Sequence, residues 1–75
     1  MNKYIYCEST QDYWPEINTI MANSYNDAFY KVAKSYADHY DDDKIMDLDD
    51  YEDFREYMND QYTIALSNIE EIDEL

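Results

Sequence analysis

Glycine is absent from this 75-residue chain, and proline and cysteine occur once each. Without glycine there is no loop that could bring backbone N–H groups against a phosphate, which excludes a P-loop and the glycine-rich dinucleotide fingerprint. The same absence leaves asparagine and aspartate as the residues expected wherever the chain needs φ > 0. Cys7 alone cannot form an internal disulfide, so a disulfide-stapled scaffold is excluded and a reducing compartment is expected. Positive charge is scarce as well: five Lys and Arg stand against 19 Asp and Glu, a net charge of −14. No apolar run approaches the roughly 20 residues that span a bilayer. The opening MNKYIYCEST lacks the apolar stretch of a signal peptide, so a cytoplasmic location is expected.

What is present argues for a fold. Ten Tyr, two Phe and one Trp make the chain 17% aromatic, far from the composition of a linker or a disordered acidic tail. The length allows one small domain, residues 1–75. A net charge of −14 exceeds the magnitude of about 2–8 that serves solubility in a small domain. Such a field repels nucleic acid and anionic membranes and attracts basic surfaces.

Lys3–Cys7, aromatic and β-branched, reads as a first strand, and Glu16–Ala22 as a second, joined by a wide loop. Ser24 with Asp27 forms a weak capping box. Ala28, Phe29, Val32, Ala33, Tyr36, Ala37 and Tyr40 then recur at helical spacing, which predicts a helix over 25–40. Asp41, Asp42 and Asp43 end it, and Ile45, Met46 and Leu48 form a short apolar patch. Asp49 with Glu52 makes a second capping pattern for a helix over 50–60, with Tyr51, Phe54 and Met58 on its apolar side and Asn59 or Asp60 as its αL terminator. Tyr62–Ser67 alternates as a third strand. Residues 68–75 form an acidic tail with room for one more helical turn. The order β-β-α-α-β predicts an α+β fold, a three-stranded antiparallel sheet with two helices on one face. The expected core is Ile5, Ile20, Phe29, Val32, Ala33, Tyr36, Phe54, Met58, Ile64 and Leu66.

Catalytic chemistry finds little support. Cys7 reads as a small buried hydrophobe inside a strand, and His39 as a residue at the negative end of a helix dipole. No catalytic residue, cofactor or metal ligand is assigned, and a non-enzymatic protein is expected. A calcium loop counted from Asp41 would place Asp43, Asp47, Asp49 and Glu52 at ligand positions. Its fifth position is Ile45, which cannot ligate through its side chain, and its sixth is Met46, where the sharp turn wants glycine. This degenerate EF-hand stays a minor alternative.

The acids themselves carry the signal. Ten of the 22 residues from His39 to Asp60 are Asp or Glu. Asp49, Glu52, Asp53, Glu56 and Asp60 follow i, i+3, i+4, i+7 and i+11, and helical carboxylates three or four apart lie roughly 5–6 Å from one another. Only Lys44 and Arg55 interrupt the run. An uncompensated like-charge stripe costs stability, the pattern expected where function sets the sequence. It approximates a row of phosphates along a duplex. Tyrosine fits this reading, because ten Tyr exceed what a small core can satisfy and Tyr is enriched at interfaces. Tyr13, Trp14, Tyr25, Tyr30 and Tyr57 are the exposed candidates. Tyr36, Tyr40, Tyr51 and Tyr62 are expected half-buried. The expected partner-binding set is Asp41, Asp42, Asp43, Asp49, Asp50, Glu52, Asp53, Glu56, Tyr57 and Asp60.

The last third of the chain resembles a known group. Asp49-Asp50-Tyr51-Glu52-Asp53-Phe54 followed by Met58-Asn59-Asp60-Gln61-Tyr62-Thr63-Ile64-Ala65-Leu66 is similar to the acidic stretch, short helix and terminal strand of small phage-encoded anti-CRISPR inhibitors of Cas9. More broadly, the profile resembles DNA-mimicking anti-restriction proteins. The resemblance implies a protein of the infected bacterial host's cytoplasm. It would bind the basic groove with which a CRISPR effector nuclease, Cas9 foremost, reads the PAM duplex, without binding nucleic acid or membrane itself. The alternative from the residues alone is an antitoxin-like or regulatory module that neutralises one basic protein.

Overall fold

The computed structural model describes residues 1–11 and 14–72. The chain runs β1 (Asn2–Ser9), β2 (Glu16–Ala22), α1 (Tyr25–Tyr40), a 3-10 turn (Asp43–Asp47), α2 (Tyr51–Tyr62), β3 (Ala65–Leu66) and β4 (Glu70–Ile72). The fold is α+β, an antiparallel sheet with two helices. β1 lies at the centre, β2 pairs along one side, and β3 and β4 pair in succession along the other.

The tail expected to be irregular or helical is therefore a fourth strand as far as Ile72; Asp73, Glu74 and Leu75 lie outside the described residues. The reason for the strand is a bulge. β1 steps three residues from Glu8 to Ile5 while the opposite strand steps four, from Leu66 to Glu70. One extra residue flips the alternation. It turns Ile69 inward to be buried beside Leu66, whereas an unbroken ladder would have placed Ile69 opposite Ile5 on the other face. Ser67 holds the bulge: its N–H donates to the Cys7 carbonyl at 2.9 Å, and its hydroxyl accepts from the Cys7 N–H at 2.8 Å.

Helix boundaries follow local chemistry. The Ser24 hydroxyl accepts from the Asp27 N–H at 3.1 Å, and the Asp27 carboxylate reaches back to the Asn23 N–H at 2.9 Å. Asp41 closes α1 in the left-handed region at φ 53, an aspartate in the role that glycine would otherwise fill. Asp50, not Asp49, caps α2, its side chain accepting from the Glu52 N–H at 2.9 Å. α2 also runs past Asn59 and Asp60 and ends with Thr63 at φ 57. The extra turn keeps Tyr62 helical, where its ring stacks on Tyr40 at 4.2 Å and its hydroxyl reaches Asp42. This takes Tyr62 and Thr63 from the expected third strand, which shrinks to two residues.

The core lies between the helices and one sheet face. Phe54, Ile45, Met58 and Val32 are fully buried, with Tyr4, Ala22, Ala28, Ala33, Tyr36, Ala37, Tyr51, Ile64, Leu66 and Ile69 around them. Ile20 and Phe29 pack against this core half-buried. Ile5 does not belong to it. Tyr4 pairs with Ile20 on the helix side, so its neighbour Ile5 points to the open face. Cys7 shares that open face and is half-buried, a correction to its expected burial.

Candidate functional site

The expected acidic residues divide into three groups. Glu52, Asp53, Glu56 and Asp60 are all exposed on α2, on the side away from buried Tyr51, Phe54 and Met58. The predicted stripe is thus met for these four, while Asp49, its expected first member, precedes the Asp50 cap and lies off the helix. The single arginine of this helix offsets one charge of the row and directs its hydrogen bonds elsewhere. Arg55 is half-buried and turned back on the chain, its Nε donating to the Leu66 carbonyl at 2.8 Å and its Nη1 to the Asn68 side chain at 3.1 Å. Arg55 thereby clips α2 to β3 and leaves Glu52, Glu56 and Asp60 along the rim of the groove between them.

A second group lies at the start of α2. Asp49, Asp50 and Glu52 share a groove with Tyr25, Asn68 and Glu70, contributed by α1, the bulge and β4. Burial, then the Asp50 charge, raises the Tyr25 hydroxyl above its ordinary pKa. Glu52 belongs to both grooves, so the acidic surface is continuous from Glu70 past Asp50 to Asp60. Asn68 was not expected here, whereas Glu70 belongs to the acidic tail that was expected to extend the row. The bulge that brings them to α2 leaves no local mark in the sequence.

The third group is structural. Asp42 caps the 3-10 turn through the Lys44 N–H, and its Oδ2 accepts from the hydroxyls of both Tyr57 and Tyr62, each at 2.6 Å. The Tyr57 bond, then the Tyr62 bond, holds the Asp42 carboxyl below its usual range. In return the Tyr62 hydroxyl is pushed up to about 12, and Tyr57 is also raised, first of all by the bond to Asp42. Asp42 and Tyr57 were expected to meet a partner. Within the fold they hydrogen-bond each other and lock the segment after α1 onto α2. Asp41 and Asp43 beside them stay exposed.

The calcium alternative meets an unsuited backbone. Asp43–Asp47 winds into a 3-10 turn that buries Ile45 instead of wrapping around an ion. Among the described residues, no three His, Cys, Asp or Glu side chains come together as a metal site. His39 is exposed in the last turn of α1, edge-on to Tyr40 at 4.7 Å. Trp14, Tyr25 and Tyr30 are exposed as expected, Tyr57 is instead half-buried against the core, and Tyr13 lies outside the described residues. No described helix is long and apolar enough to cross a membrane.

Charge is distributed unevenly across the fold. Residues 1–40, which build β1, β2 and α1, hold three Lys against five Asp and Glu, net −2; residues 41–75 hold two cations against fourteen acids, net −12. The ion pairs Lys31–Asp27 and Lys34–Asp38 both lie along α1. A surface of this kind can present carboxylates, with a few aromatic rings at its border, to a basic partner. The chain has no match among known protein families, curated proteins or solved structures.

Proposed function

We propose that the protein is a binding inhibitor that occupies the basic nucleic-acid groove of a partner protein as a DNA mimic. The partner that the resemblance of residues 49–66 singles out is a CRISPR effector nuclease, Cas9 foremost, whose target DNA would be blocked by competition. The observation that carries this reading is the exposed row Glu52, Asp53, Glu56 and Asp60, four carboxylates with one neighbouring cation, Arg55, whose hydrogen bonds go to Leu66 and Asn68. Close, desolvated charge pairs across such an interface are worth about 1.5–7 kcal/mol each, while rim charges chiefly set the association rate. One or two carboxylates should therefore dominate.

The test is charge reversal on the exposed side of α2. Asp50 caps α2 and Asp42 anchors two tyrosines, so neither is a clean probe. The double variant Asp53→Lys/Glu56→Lys should keep the native circular dichroism spectrum and a cooperative melt, and weaken inhibition of guide-loaded Cas9 by at least about tenfold, the equivalent of about 1.4 kcal/mol. Undiminished inhibition by a folded double variant would refute the proposal.

The antitoxin-like reading shares this surface but not the target. It gains support if the protein leaves nucleases untouched and binds a different basic protein with the same loss on charge reversal.

A further inference from the structure

A different surface lies on the far side of the molecule. β2 is an edge strand: β1 pairs along one of its sides, and among the described residues no strand pairs along the other. Edge strands are ordinarily blunted by lysine, proline or a bulge. β2 has none of these over its seven residues, and its one charge, Glu16, stands at its first position. Its open-face side chains are Ile17, Thr19 and Met21, with Ile17 74% and Met21 43% exposed. The Met21 carbonyl accepts from the Lys31 ammonium at 2.8 Å, so it points away from β1. Backbone groups two residues apart along a strand point the same way. Those of Ile17 and Thr19 therefore also face out from the edge, ready for another strand.

We propose that β2 pairs antiparallel with β2 of a second copy of this chain, around a two-fold axis at Thr19. Two observations select a second copy. The first is register. Full-length pairing of Glu16–Ala22 with itself is centred on Thr19, so Ile17 of each copy lies opposite Met21 of the other. The two exposed apolar side chains cover each other, and the two Glu16 side chains are kept at opposite ends. The second is charge. β2 belongs to the segment 1–40 with net −2, while the net −12 of residues 41–75 resides mainly on α2, the turns flanking it and β4. α2 packs beside β3, at the opposite sheet edge. Edge-to-edge pairing through β2 joins the near-neutral halves and holds the two acidic surfaces at opposite ends of a continuous sheet.

Seven residues a side is well below the roughly 20–30 of a standard stable interface, so the dimer belongs with weak, transient contacts. Screening weakens the residual repulsion between copies, so the dimer tightens as salt rises. The acidic surface behaves in the opposite sense, since its grip on a basic partner loosens with salt.

Sedimentation equilibrium on the full chain tests this. The dimer fraction should grow between about 10 μM and 1 mM protein and should be larger at about 1 M than at 0.01 M salt. Thr19→Pro removes an outward N–H that β1 does not use and should abolish the dimer with the circular dichroism spectrum unchanged. Ile17→Lys, which keeps the backbone intact, should do the same, and it decides the matter if the proline variant does not fold. Asp53→Lys/Glu56→Lys should not weaken the dimer. A wild-type monomer throughout this range, or a folded Ile17→Lys variant that dimerises as wild type does, would overturn the proposal.

Discussion

Asp42 shows most clearly how a side chain can be chosen for the fold in a sequence dominated by acids. Two tyrosine hydroxyls and one backbone N–H converge on it. Its pKa is lowered from 3.8, so its contribution to stability is complete above that value and is lost as pH falls through the folded value. Tyr62 is raised from 10.0 to about 12, so the same bond is complete below pH 10 and is lost as pH climbs toward 12. Asp42→Ala should lower the melting temperature at neutral pH and flatten the stability profile at both ends, read by thermal melts across pH. Phe54 makes the complementary case among apolar residues. It is fully buried and its ring meets Phe29, Tyr36 and Tyr51. Phe54→Ala should cost about 3–5 kcal/mol in a urea titration, as large core truncations do. In a domain this small, that approaches the whole of the stability.

At the scale of elements, the sequence was most legible where structure is local. The period of α1, the aspartate that ends it, and the outward stripe of α2 were all readable from spacing and residue type. Long-range devices were not. Nothing near Asp42 announces Tyr57 and Tyr62, which lie 15 and 20 residues away. Nothing in Ser67-Asn68-Ile69 announces a bulge, because only pairing with β1 reveals the extra residue. The end of α2 was misplaced for the same reason: Asn59 and Asp60 are better αL residues than Thr63, but the Tyr62 contacts outweigh that preference. Thr63 therefore sits at φ 57 with a branched side chain, a conformation that costs about 1–2 kcal/mol for residues other than glycine. Thr63→Gly should raise stability by about 1 kcal/mol by chemical denaturation, less whatever the freer unfolded chain takes back. An unchanged or lowered midpoint would mean that the Thr63 side chain supplies something the turn needs.

For the whole molecule, a net charge of −14 acts against compactness, and salt should relieve it. The melting temperature should rise steadily as ionic strength increases from about 0.01 M to 0.15 M, over which the screening length falls from about 30 Å to 8 Å. A chain that retains such self-repulsion, concentrates it in residues 41–75 and spends its one arginine elsewhere has the layout expected of a surface addressed to a basic partner. The proposed inhibition is competition for one groove. Its most direct measurement is whether target duplex and this protein can occupy the same guide-loaded Cas9 at once, followed by a fluorescently labelled duplex during titration with the protein. Mutual exclusion is predicted, with the protein's apparent affinity falling as salt rises. A ternary complex that holds target DNA at full affinity would rule out competitive inhibition.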